Sequence, residues 1–67
     1  MKSGYLDFWK SSYGFIKDDS GRSYFVHISS FPVGFTPVAG CLVTFDEGRT
    51  SKGAVALNVQ IVQGGGK

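Results

Sequence analysis

The sequence predicts an all-β fold in which five short strands close into a small barrel. Three observations carry this. Five runs are rich in β-branched, aromatic and other apolar residues, with alternation at every second position. Gly, Ser, Asp or Pro punctuates the gaps between them. No stretch sustains a helical period.

Run one is YLDFW (5–9), closed by a hairpin near KSS (10–12). Run two, YGFIK (13–17), leads through DDSG (18–21), a tight turn in which Gly21 supplies positive φ, into run three, SYFVHI (23–28). These three make an antiparallel meander. A longer loop, SSFPVGFTPVAG (29–40), holds both prolines, and its SSFPV segment has room for at most one helical or 3₁₀ turn. Run four is CLVTFDE (41–47). Run five, AVALNVQIV (54–62), alternates most clearly, and its inner face is expected to carry Val55, Leu57, Val59 and Ile61. GGGK (64–67) reads as a flexible tail or the start of a linker, leaving 1–63 as the one domain. Five antiparallel strands in so short a chain protect their edges only by curling closed, as in an OB-fold barrel or an SH3-like barrel.

At 67 residues the chain has room for a single domain, and a domain this small buries only roughly 60% of its unfolded surface. A composition of 42% hydrophobic and 18% charged residues is too apolar for a disordered chain and too mixed for a membrane one. No apolar run reaches the roughly 18 residues of a membrane span, and MKSGYLDFWK lacks the apolar centre of a signal peptide. The expected setting is the cytoplasm, without membrane contact. Cys41 stands alone, so it forms no internal disulfide and is expected as a buried strand residue. Net charge is only +2, less than a duplex binder working through many phosphate contacts would show.

The informative pattern lies in runs two and three. Tyr13, Phe15 and Lys17 share one side of run two, with Gly14 and Ile16 on the other; in run three Phe25 and His27 oppose Tyr24, Val26 and Ile28. The aliphatic residues need burial most, so their sides face the barrel interior. Tyr13, Phe15, Phe25 and His27 therefore converge on the outside of two adjacent strands. Exposed rings fit a ligand with flat apolar faces, and every nucleobase has one; stacking is worth roughly 1–3 kcal/mol per base. Duplex bases are already stacked inside, so the partner implied is single-stranded DNA or RNA. Two alternatives are weighed against this. The rings can simply cover one another in cross-strand pairs. An SH3-like barrel would instead hold a proline-rich peptide, but that expects acidic residues grouped beside the groove, and here they divide between 18–19 and 46–47.

Two motifs then give a resemblance. SSYGFI (11–16) resembles the first ribonucleoprotein motif of cold-shock domains, K-G-F-G-F-I, and YFVHI (24–28) resembles the second, V-F-V-H-F. SGYLDFW, FDEG and GAVALNV fall where that family has its first, fourth and fifth strands, so the likeness covers almost the whole chain. It implies an OB-fold barrel that binds single-stranded nucleic acid, often as an RNA chaperone. By position it implies stacking roles for Tyr13 and Phe15, for Phe25 and His27, for Phe8 and the following Trp9, and for Phe35 of the long loop; Lys52 sits near a basic residue of the last loop. Departures from the pattern are Asp7, Ser11 and Ser12, which replace lysine, lysine and glycine, and Ile28 in place of a phenylalanine. The lysine losses remove phosphate attraction. The first loop and the long loop are each shorter by about two residues than the family pattern.

In run one alternation sends Trp9 inward if Phe8 faces out, although a bulge would expose both. A short hinge there also admits strand exchange between two chains as a minor alternative to a monomer. Lys10 and Lys17 flank the ring face and are expected to meet phosphates, with Arg22 nearby. His27 has no cysteine or carboxylate neighbours at metal-ligand spacing, so no metal, cofactor or nucleophilic triad is expected, and no enzyme activity. Asp18 and Asp19 read as turn formers rather than a paired-acid site, and Gly14 as a structural glycine between two exposed rings.

Overall fold

The computed structural model describes residues 1–63; the GGGK segment lies outside them. Strands β1 (Lys2–Lys10), β2 (Tyr13–Asp18), β3 (Ser23–His27), β4 (Leu42–Thr50) and β5 (Gly53–Gln63) close into a barrel in the order β1-β2-β3-β5-β4. Four of the pairings are antiparallel. The closing contact between β3 and β5 is parallel and consists of the pair Phe25 and Val55. Every strand thereby has two neighbours, which leaves no long edge exposed.

The interior is lined by Leu6, Ile16, Tyr24, Val26, Val43, Phe45, Ala56 and Val59, all essentially inaccessible. Each large apolar side chain so buried contributes roughly 1.5–3 kcal/mol. Tyr24 and Phe45 meet at the centre, ring centroids 5.0 Å apart and planes at 60°. Cys41 is buried just ahead of β4.

The β2–β3 turn is organised by Asp18, as the turn-former reading expects. Its Oδ1 accepts hydrogen bonds from the Ser20 N–H (2.9 Å), the Ser20 hydroxyl (2.8 Å) and the Arg22 N–H (2.9 Å), and its Oδ2 from the Tyr24 hydroxyl (3.2 Å). Gly21 follows at φ 87°, the left-handed region where a Cβ is strained. The turn therefore ties its own backbone to the one polar atom of the central core ring.

Three expectations are corrected. Ile28 does not continue the inner face of β3; the chain leaves the sheet at His27, and Ile28 opens a 3₁₀ turn, Ile28–Ser30, with its side chain exposed. The inner face of β5 is not Val55, Leu57, Val59 and Ile61 throughout. Ala56 and Val59 are buried and Leu57 is exposed, because Asn58 adopts φ 52° and shifts the alternation by one residue. Outside, Leu57 lies against Gly48, where a Cβ would come within 2.6 Å of Leu57 Cδ1. β1 begins at Lys2 and β4 runs to Thr50, both longer than the apolar runs, because backbone pairing with β4 and β5 extends past the hydrophobic residues.

Candidate functional site

A bulge in β1 decides how the first strand joins the ring face. Leu6 pairs with Ile16 but Phe8, not Asp7, pairs with Phe15, so Asp7 is the extra residue. Leu6 points into the core, Asp7 and Phe8 both point out, and Trp9 turns inward. The bulge thus lies before Phe8 and selects the arrangement in which Phe8 is exposed and Trp9 is packed on the core. Gly14 makes this possible: a Cβ there would overlap the Phe8 carbonyl oxygen and lie 2.8 Å from Trp9 Cε3.

Register then sets out the face in rows. Phe8, Phe15 and Phe25 form the middle row across β1, β2 and β3, and Val55 continues it on β5. Lys10, Tyr13 and His27 form the next row toward the β1–β2 turn, and Tyr5, Lys17 and Ser23 the row on the other side. Centroids of Phe8 and Phe15 are 6.3 Å apart, those of Phe15 and Phe25 5.9 Å with planes at 75°, and those of Tyr13 and Phe25 5.9 Å with planes at 24°. These contacts lie within the range of favourable aromatic pairs. The rings do cover one another, yet Phe8, Phe15 and Phe25 keep 44%, 38% and 38% of their surface exposed. Mutual packing therefore orders the face without closing it.

His27 adds a polar group. Its Nδ1 accepts from the Ser29 N–H (3.2 Å), with the Ser29 hydroxyl at 3.1 Å. Neutral imidazole engaged this way carries its proton on Nε2, which is then a donor.

Trp9 and Phe35 sit apart from the open face. Trp9 meets the buried Phe31 edge-on, centroids 5.3 Å apart and planes at 89°, and Phe35 stacks on Phe31 with centroids 5.8 Å apart and planes at 22°. Both remain half-buried against the core. Phe31 anchors the long loop to the barrel, a role the proline-rich loop sequence does not reveal.

Beyond β3 the face runs into a cleft of about 570 Å³ lined by Phe15, Phe25, Thr50, Ser51, Lys52, Ala54 and Val55. Lys52 belongs to its rim. Val55 is a site residue that alternation in β5 assigns to the inner face, and no signal in the sequence corrects it; Ala54, which alternation places outside, also lines the cleft. Tyr5 is a further outward ring, 40% exposed, and its position opposite the core residue Leu6 makes it readable from period two.

Charge is sorted around the barrel. Lys2 and Arg49 each approach Glu47 at 3.8 Å, and the N-terminal amine lies 4.0 Å from Asp46. Among the described residues Lys10, Lys17, Arg22 and Lys52 form no ion pair. Among the described residues the unpaired cations thus include Lys10 and Lys17 of the face rows and Lys52 of the cleft, while the acids at 46–47 are engaged elsewhere.

Comparison with solved structures settles the architecture. A Drosophila Unr cold-shock domain structure (CSD456) superposes with a TM-score of 0.79 over 98% of this chain, at 13% sequence identity. The fold is that of a cold-shock domain. This cold-shock fold spans 28% of the length of the matched Unr chain. No family model matches the sequence, and neither does any curated protein. Among the described residues no helix is long and apolar enough to cross a membrane, and no three His, Cys, Asp or Glu residues group to hold a metal.

Proposed function

We propose that this protein is a cold-shock-family member that binds single-stranded DNA or RNA on the ring face of β1, β2 and β3, and that it acts as an RNA chaperone in the cytoplasm as a monomer. The observation that carries this is the open row Phe8, Phe15 and Phe25, ordered by edge and tilted contacts yet more than one-third exposed at each ring. Bases of an extended strand stack on Phe8, Phe15 and Phe25, with Tyr13 and His27 alongside and with Trp9 and Phe35 at the margin. Phosphates lie toward Lys10, Lys17 and Lys52. A duplex offers this face no unstacked base. Binding the unpaired form alone shifts a weak RNA hairpin toward its open state by mass action, without ATP. Such binding needs no catalytic group, metal or cofactor.

The test is titration with a short oligothymidine, its duplex and a proline-rich peptide, followed by calorimetry and by the fluorescence of Trp9. Heat and quenching with the single strand alone are expected. Binding of the peptide but of no oligonucleotide would replace this function with peptide recognition.

A further inference from the structure

Asp7 is the residue that the bulge in β1 adds to the ring face. Strict alternation after the buried Leu6 would turn Asp7 out and Phe8 in. The bulge leaves Asp7 out and brings Phe8 out beside it, with both residues opposite Phe15. Bulges commonly re-aim a side chain next to a functional site. Here the result is an exposed carboxylate adjoining the first ring of the stacking row.

That carboxylate is not spent on the fold. Among the described residues Asp18 accepts hydrogen bonds from its own turn, Asp46 from Asn58, and Glu47 faces Lys2 and Arg49. Asp7 makes no side-chain hydrogen bond or ion pair among them. A negative charge on a surface that meets a polyanion repels its phosphates, so Asp7 lowers affinity for every strand alike unless a base offers it donors.

The donor pattern of the bases decides which one does. An ionised carboxylate only accepts, through two oxygens. Guanine presents adjacent N1–H and N2–H₂ donors on its Watson–Crick edge, a match for both oxygens at once. Cytosine and adenine present one amino group beside a ring-nitrogen acceptor. Thymine and uracil present a single N3–H flanked by two carbonyl oxygens, which the carboxylate repels. Unstacked bases in single strands are read on these edges.

We propose that Asp7 is a base-selecting residue, which accepts hydrogen bonds from the Watson–Crick edge of a guanine stacked on Phe8 and disfavours thymine or uracil at that position. This rests on the proposed single-strand binding at the ring face. The carboxylate gives up general affinity and gains discrimination, since specificity is a difference between partners and is served by repelling the wrong one.

The experiment compares calorimetric Kd values for a seven-residue oligothymidine, the same strand with one central guanine, and the same strand with inosine there, which keeps N1–H and lacks the N2 amino group. The wild-type protein is expected to bind the guanine strand about tenfold more tightly than oligothymidine, with inosine between them. Asp7→Asn is expected to bind oligothymidine more tightly than wild type and to lose most of the guanine preference; circular dichroism checks that its fold is kept. Equal wild-type affinities for the guanine and thymine strands overturn the proposal. So does an Asp7→Asn protein that gains the same factor on all three strands, which makes Asp7 a repulsive charge only. Failure of every strand to bind, by contrast, overturns the single-strand function itself and this proposal with it.

Discussion

Phe15 on β2 and Phe25 on β3 are direct cross-strand partners, and their rings meet edge-on at 5.9 Å with planes at 75°. An edge-on pair holds each ring in place while covering a face of only one of them, whereas a flat stack would cover a face of each. Both residues also line the cleft that ends at Lys52. The pair is therefore the hinge point between the stacking row and the β4–β5 turn.

Replacing Phe15 by alanine is expected to weaken binding of a short single strand by roughly 1–3 kcal/mol, the value of one base–ring stack. The cost in stability is smaller, about 0.2–1 kcal/mol, since only cross-strand surface contacts are lost. Calorimetry and urea unfolding measured side by side separate the two effects. Unchanged affinity in a folded Phe15→Ala protein would refute the platform.

Salt dependence is expected to be shallow. With phosphates near Lys10, Lys17 and Lys52 only, the slope of log K against log salt should lie near about −2, at about −0.7 for each single-strand phosphate neutralised. Titrations at several salt concentrations give this slope directly. A value of about −5 or steeper would mean that a further basic surface takes part.

Asp18 makes acid stability a test of the β2–β3 turn. Burial pushes its carboxyl up, but the hydrogen bonds from the Arg22 N–H, the Ser20 hydroxyl and N–H, and the Tyr24 hydroxyl outweigh burial and bring it from 3.8 down to about 2. A group whose pKa is lowered by folding stabilises the folded state above its unfolded pKa, and that contribution is lost as pH falls through the folded value. The stabilisation from Asp18 should therefore be complete above about pH 4 and fade toward about pH 2. Thermal unfolding of Asp18→Asn should show a lower Tm at neutral pH and a weaker fall across this window than wild type. Parallel Tm curves for the two proteins would contradict the network.

Gly14→Ala is expected to destabilise the barrel by about 1–3 kcal/mol or more, because its Cβ meets the backbone of Phe8 rather than a side chain that can swing away. The same change should reduce single-strand binding by disturbing the bulge that exposes Phe8. Urea unfolding within about 0.5 kcal/mol of wild type would show that the two strands separate freely at this point.

The all-β architecture, the meander of the first three strands and the outward placement of Tyr13, Phe15, Phe25 and His27 are legible in the residues alone. β2 and β3 are short, carry no bulge and are joined by a tight turn, so period two holds along their whole length. The β2–β3 turn is equally legible, since Asp, Ser and Gly carry its hydrogen bonds and its positive φ locally. Ile28 is misread because the chain leaves the sheet one residue earlier than its apolar run suggests.

By itself the sequence determined which strands exist and which faces of β2 and β3 meet solvent, because both follow from contacts between near neighbours in the chain. Only the tertiary structure decided the phase of β1 and β5. Asp7 and Asn58 look like ordinary strand residues, yet one is a bulge against β2 and the other takes a left-handed turn within β5. Closing five strands into a barrel requires strong local coiling, and bulges and left-handed residues supply it where distant strands must meet. Those two positions set whether Phe8 joins the ring face and whether Val55 or Ala56 faces the core.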